Sequence, residues 1–190
     1  MKVTSILGSP RKKGNTNRVL GWVEEGLGRL DHRVNRIDVV DHNVNGCKGC
    51  GTCQSSNDRP GCPQKDDVQD ILSRLFDSDV VLYASPNYMW GLSSQMKALI
   101  DRHCCVVTGF GTPDWQSLLD GKRAALVVTC GDAIENNCEL MMQAFERFAA
   151  YLKTDYLGAL VIPYTTTPDA MGEDVKDQAM AFARKIDASR

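Results

Sequence analysis

Half of the chain's eight cysteines fall in the stretch "GCKGCGTCQSSNDRPGCP", residues 46–63. Cys47, Cys50 and Cys53 recur every third residue, and Cys62 follows after eight more, directly before Pro63. A C-x2-C-x2-C series lets three thiolates from one tight loop reach three corners of an iron–sulfur cubane. A remote cysteine, commonly followed by proline, supplies the fourth ligand in such runs. Gly46, Gly49 and Gly51 give the loop the backbone freedom to wrap a cluster. Zinc also takes four cysteines, but its sites usually pair two C-x2-C knuckles, whereas this chain has three in series plus one. The spacing therefore points to a 4Fe–4S cluster on Cys47, Cys50, Cys53 and Cys62, with zinc and an empty or oxidised loop as the alternatives. Cys104, Cys105 and Cys138 sit in helical patterns and read as small buried hydrophobes. Cys130 differs, because it closes an apolar strand.

A second constellation lies at residues 8–17, "GSPRKKGNTN", between an apolar run and a helical one. Gly8 and Gly14 permit tight turns, Ser9, Asn15, Thr16 and Asn17 carry short polar groups, and Arg11 adds a fixed charge. With the N–H groups of a helix start, this suits a phosphate. Five residues separate the two glycines and Asn15 follows, so the loop is not a Walker A motif, and G-x-G-x-x-G is absent. A mononucleotide phosphate without Mg²⁺ fits better, favouring FMN over ATP or NAD. The third constellation, "ASPNYMWGL" (84–92), sets Tyr88 and Trp90 between Pro86 and Gly91, an aromatic wall that a flat heterocycle would need. No histidine pair stands at catalytic spacing, and no catalytic side chain is assigned.

The elements that must position these residues alternate. Short apolar runs, "KVTSILGS", "HRVNRIDVV", "SDVVLYASP", "KRAALVVTCG" and "DYLGALVIP", are separated by helical-period segments beginning near residues 16, 66, 93, 135 and 172. The third run is expected to stop at Pro86, and the third helix to extend through Cys104 and Cys105 to Val107. Five strands each followed by a helix predict a three-layer α/β fold: a parallel sheet in the flavodoxin-like order 2-1-3-4-5, with helices on both faces. Ligands of such sheets bind at the strands' carboxyl ends, where all three constellations fall. No repeat or linker divides residues 1–190, which read as one domain carrying a cysteine-rich loop at 46–63.

Charge and hydropathy narrow the partners. Lys plus Arg number 22 and Asp plus Glu 24, a net charge of −2, which gives no electrostatic reason to expect nucleic acid or an anionic membrane. No apolar run approaches the roughly 18 residues of a membrane span. The apolar segment of "MKVTSILGSPRKK" is too short for a signal peptide, so the chain reads as cytoplasmic. Clustered cysteines in that reducing setting point to metal or redox chemistry rather than disulfides.

In their order and spacing, "GSPRKKGNTN", "GCKGCGTCQ…GCPQKDDV" and "SPNYMWGLSSQMKALIDR" resemble the NAD(P)H-dependent FMN reductase group of flavodoxin-like proteins, and within it the iron–sulfur flavoproteins. The resemblance implies that Ser9, Arg11, Asn15, Thr16 and Asn17 hold the FMN phosphate. It implies that Pro86, Asn87, Tyr88, Met89, Trp90 and Gly91 run along the flavin ring and that Thr129, Cys130 and Gly131 complete the pocket. Two departures stand out: Ser93 replaces a proline found in many relatives, and the gap before Cys62 is longer than usual. The implied function is an oxidoreductase passing electrons between FMN, a 4Fe–4S cluster and an external partner. NAD(P)H or reduced ferredoxin would be the donor, and a quinone, an oxygen species or a protein the acceptor. Such relatives are commonly homodimers or homotetramers with the flavin near an interface. A cluster-free NAD(P)H-dependent FMN or quinone reductase and a flavodoxin-like electron carrier are the alternatives.

Overall fold

The computed structural model describes residues 1–55, 59–167 and 171–189, leaving residues 56–58 of the cysteine loop outside the described residues. Five parallel strands form the sheet: β1 (Lys2–Leu7), β2 (Arg33–Asp38), β3 (Val80–Tyr88), β7 (Arg123–Thr129) and β8 (Asp155–Ile162). Their order, β2-β1-β3-β7-β8, is the flavodoxin-like one expected from the sequence. Three two-residue strands accompany them: β4 (Gly91–Leu92), antiparallel to β3, and β5 (Val107–Thr108) with β6 (Gln116–Ser117). The helices are α1 (Asn15–Arg29), α2 (Val68–Phe76), α3 (Ser94–Arg102), α4 (Glu139–Tyr151) and α5 (Glu173–Asp187). Among the described residues, no helix is long and apolar enough to cross a membrane.

Strand alternation explains why the sheet must be covered on both sides. Along β3, Val80, Leu82 and Ala84 join one core with the apolar faces of α1 and α5. Val81 and Tyr83 face the other core, against Ile71, Leu72 and Leu75 of α2, Met96 and Leu99 of α3, and Phe145 of α4. β7 repeats the pattern, with Ala125 and Val127 on the first side and Leu126 and Val128 on the second. Each large aliphatic side chain fully buried in this way contributes about 1.5–3 kcal/mol. At the α1–α5 contact a Cβ on Gly26 would lie 2.7 Å from that of Ala183, so close approach there demands glycine.

Three boundaries differ from expectation. β3 passes through Pro86 to Tyr88. Ala84 O accepts from Gly8 N at 2.8 Å, so Ala84, and by alternation Pro86, turn their backbone polar groups toward β1. β1 has ended by then, its last β3 partner being Ala84, and the missing N–H of Pro86 interrupts no ladder. α3 stops at Arg102 instead of running to Val107. His103–Val106 tighten into a 3₁₀ turn, and the β-branched Val107 and Thr108 then pair as β5. α4 starts at Glu139, not near 135, because Asn136 is left-handed (φ 58°), and the Glu139 carboxylate accepts the N–H groups of Asn136 and Asn137 at 2.6 and 2.9 Å.

That 3₁₀ turn carries His103 into the core. Its Nδ1–H donates to Leu99 O at 3.0 Å and its Nε2 accepts from Tyr83 Oη at 3.0 Å, which sets a neutral imidazole. Burial pushes the His103 pKa down from 6.5 to about 4. Below about pH 6.5 the unfolded chain therefore binds a proton that the folded chain excludes until pH 4. Stability falls as pH drops through that window, by on the order of 3 kcal/mol. Urea unfolding at pH 7.5 and pH 5 is expected to show a smaller drop for His103→Gln than for the unmodified chain; equal drops would contradict this.

Candidate functional site

The carboxyl ends of β1, β3 and β7 open on a cavity of about 480 Å³. From the β1–α1 loop it is lined by Ser9, Arg11, Asn15 and Thr16, from the end of β3 by Pro86, Asn87 and Tyr88, and from the end of β7 by Thr129, Cys130 and Gly131. Three segments distant in sequence thus meet in one place, as a parallel sheet of this order requires. Gly14, named above for its turn, also lines it, as do Lys13, Thr165 and Thr166, which were not singled out by sequence. Asn17, Met89, Trp90 and Gly91 do not line it. The Asn17 side chain turns away, its Oδ1 accepting from Arg36 Nη2.

Local bonds shape this cavity. Gly14 opens α1 without a side-chain cap. The N–H groups of Asn15, Thr16 and Asn17 have no acceptor within the helix and face its open, electropositive end. Ser9 Oγ accepts from Arg11 N at 3.1 Å, curling the loop across that end. Thr16 Oγ1 and Thr129 Oγ1 share a buried hydrogen bond of 2.7 Å, locking the first turn of α1 to the tip of β7. Asn15 Nδ2 donates to Thr165 O at 2.7 Å and Thr167 O at 3.2 Å, which draws the loop after β8 into the wall. Asn87 Nδ2 donates to Asn137 O and Oδ1 at 3.2 and 2.8 Å, leaving Asn87 Oδ1 buried with no donor among the described residues.

Beyond Asn87 the chain reverses at Met89 and Trp90, with Asn87 facing Leu92 and Tyr88 facing Gly91. Both turn residues are left-handed (φ 48° and 60°), as in a two-residue type I′ hairpin, a conformation normally given to Asn-Gly. Two ordinary side chains there cost about 1–2 kcal/mol each. The turn leaves Met89 88% and Trp90 56% exposed. Trp90 borders a separate hollow of about 450 Å³ with Asn136, Asn137, Glu139 and Leu140. Ser93, which follows, uses an N–H that proline lacks: it donates to Ser85 Oγ at 3.0 Å. Ser93 Oγ donates to Gly8 O at 2.5 Å and accepts from Met96 N at 3.2 Å, capping α3.

Cys47, Cys50, Cys53 and Cys62 line another cavity, of about 400 Å³, together with Cys104. Cys104 thus borders the thiol cavity in addition to packing against the core as its periodicity suggests. Its Sγ lies 3.8 Å from that of Cys47, and burial pushes its thiol pKa well up. Cys53 and Cys62 are buried, whereas Cys47 and Cys50 are exposed. N–H donors reach the sulfurs: Gly49 N to Cys47 at 3.4 Å and Arg102 Nη2 to Cys62 at 3.1 Å. The Thr52 hydroxyl lowers the Cys50 pKa. Among the described residues no three His, Cys, Asp or Glu side chains gather closely enough to hold a metal ion as they stand. The donor set fits an iron–sulfur group nonetheless, since four thiols share one cavity and Cys47 and Cys62 receive N–H···S bonds. Gly49 and Gly51, on either side of Cys50, hold left-handed backbone at φ 63° and 71°, a conformation glycine adopts without steric cost.

The two cavities lie at opposite ends of α3. Ser93 opens the helix against Gly8, and Arg102 ends it beside the thiols, with Cys104 just beyond, roughly 13 Å along the axis. At the first end a Cβ on Gly8 would come 2.5 Å from that of Met96. Gly8→Ala is therefore expected to lower stability by about 1–3 kcal/mol through overpacking. An unchanged urea midpoint would refute that tight junction.

Residues 1–163 match the NADPH-dependent FMN reductase family. An iron–sulfur flavoprotein of Archaeoglobus fulgidus is 37% identical over 102 residues, covering 54% of this chain and 45% of that protein. One from Methanocaldococcus jannaschii is 34% identical over 110 residues, covering 58% and 55%. The chain spans about half the length of these curated relatives. An FMN-dependent NADH-azoreductase from Bacillus anthracis, solved in complex with FMN, shares the fold. Its TM-score is 0.67 at 15% identity, over 100% of this chain and 99% of that one. With the family match running from β1 through β8, the chain belongs to the NADPH-dependent FMN reductase family.

Proposed function

We propose that the 480 Å³ cavity binds FMN and that the protein is an FMN-dependent oxidoreductase with an NAD(P)H or ferredoxin donor. The observation that carries this is the convergence of the β1–α1 loop, the end of β3 and the end of β7 around one space of cofactor size. In this reading Ser9, Arg11 and the first N–H groups of α1 hold the phosphate. Thr16 and Thr129, bonded to each other, fix the floor. Pro86, Asn87 and Tyr88 form one wall and Thr129, Cys130 and Gly131 the other. The buried carbonyl oxygen of Asn87 supplies an acceptor for a ring N–H. Bound FMN would supply the two-electron chemistry, while the chain orients it and shields its edge; no side-chain acid or base is required.

The same proposal places a 4Fe–4S cluster on Cys47, Cys50, Cys53 and Cys62. Their shared cavity supports it, as do the relatives named iron–sulfur flavoproteins. The exposure of Cys47 and Cys50 favours a second reading, a cluster-free FMN or quinone reductase with a structural cysteine loop.

Arg11 separates phosphate recognition from ring binding. In fluorescence titrations of the flavin-free protein, Arg11→Ala is expected to weaken FMN binding roughly tenfold and leave riboflavin binding unchanged. Equal effects on both flavins, or none on FMN, would overturn the phosphate assignment.

A further inference from the structure

Arg102 ends α3 with its side chain fully buried. It grips Asp66, whose side chain is also fully buried, through Nη1–Oδ2 at 2.7 Å and Nη2–Oδ1 at 3.0 Å. Two further bonds reach the ends of the cysteine loop: Nη1 donates to Asn45 O at 2.8 Å, and Nη2 donates to Cys62 Sγ at 3.1 Å. Asp66 closes the ring by accepting from Asn45 N at 3.1 Å. A staple for the loop would be complete with Asp66 and Asn45 alone. The bond to sulfur is additional, and Arg102 Nε–H still finds no acceptor among the described residues. A buried cation that donates to a cysteine sulfur draws electron density from it and favours the more negative, reduced state of whatever the sulfur ligates.

Resting on the cluster reading above, we propose that Arg102 is a positioning residue of the cysteine centre. It holds Cys62 Sγ at the cavity wall and raises the reduction potential of the iron–sulfur group ligated there, with Asp66 as the counter-charge that limits the rise. The centre takes up one electron from the reductant and no bond is made or broken, so the arginine acts through field and hydrogen bond alone.

The test is an EPR-monitored redox titration of the anaerobically reconstituted full chain, with iron and sulfide analysis. Asp66→Asn keeps the cation and the sulfur bond but removes the counter-charge, and is expected to shift the midpoint potential upward. Arg102→Met combined with Asp66→Asn removes the N–H···S bond without stranding a buried charge, and is expected to shift it below the unmodified value. Should the double variant not fold, Arg102→Lys carries the test. It keeps the charge but loses the fork, and its potential is also expected below the unmodified value. Opposite shifts at unchanged iron and sulfide content support the role. Unchanged potentials, or shifts of the same sign, overturn it and reduce Arg102 to a loop staple. An unmodified protein that takes up no iron or sulfide removes the cluster reading itself, and this inference with it.

Discussion

Gly8 is the position on which the rest of the structure depends. Its N–H continues the β1–β3 ladder onto Ala84 O, its carbonyl accepts from the Ser93 hydroxyl that caps α3, and Met96 fills the space where a side chain would project. Three elements are thereby pinned within one residue of where β1 ends. Ser9 and Arg11 can then fold over the start of α1 only because the chain turns there without a Cβ. Pro86 and Asn87 line the facing wall because β3 continues past the point where β1 stops.

α3 carries that constraint across the molecule. Its N-cap, Ser93, belongs to the junction beside the proposed flavin cavity, and its last residue, Arg102, reaches the cysteine loop. A displacement at one end of so short a helix would be felt at the other. The Asp66–Arg102 pair keeps the far end fixed. Burial works against both charges, yet the guanidinium and the N–H groups of Asn45 and Val68 outweigh it and hold the Asp66 pKa below the usual carboxylate range. Removing one partner of such a pair would cost about 3–5 kcal/mol, because the other charge is left buried and unpaired. The proposed redox site is thus built from a rigid helix between two loops, one closed by glycine packing and the other by a buried ion pair.

The strand order and the loops that meet at the strand ends were legible in the sequence, because alternation and strand–helix rhythm are local signals. What escaped it depended on contacts distant in sequence. Pro86 reads as a strand stop until the strand beside it is known to have ended. Cys104 has the periodicity of a packing residue, and only the fold sets it against Cys47, 57 positions away. Thr165 and Thr166 carry no chemical signature; the Asn15 side chain, 150 residues upstream, draws their loop into the cavity wall. The Met89–Trp90 reversal lacks the Asn-Gly pair that marks its turn type, so Trp90 read as cavity wall beside Tyr88; Tyr88 does line the cavity, whereas Trp90 borders a neighbouring hollow. The bonds Arg102 makes reach residues 36 to 57 positions away, with nothing local to announce them.

The central claim is that one chain carries a flavin cavity and a thiol-lined redox cavity at the two ends of α3. The most direct measurement is the absorbance spectrum of the anaerobically purified and reconstituted protein, with flavin, iron and acid-labile sulfide determined on the same sample. The account predicts FMN bands at one flavin per chain, together with a broad sulfur-to-iron absorption that bleaches on reduction and matching stoichiometric iron and sulfide. A spectrum without flavin would contradict the account at its base, and flavin without iron or sulfide would contradict its second half.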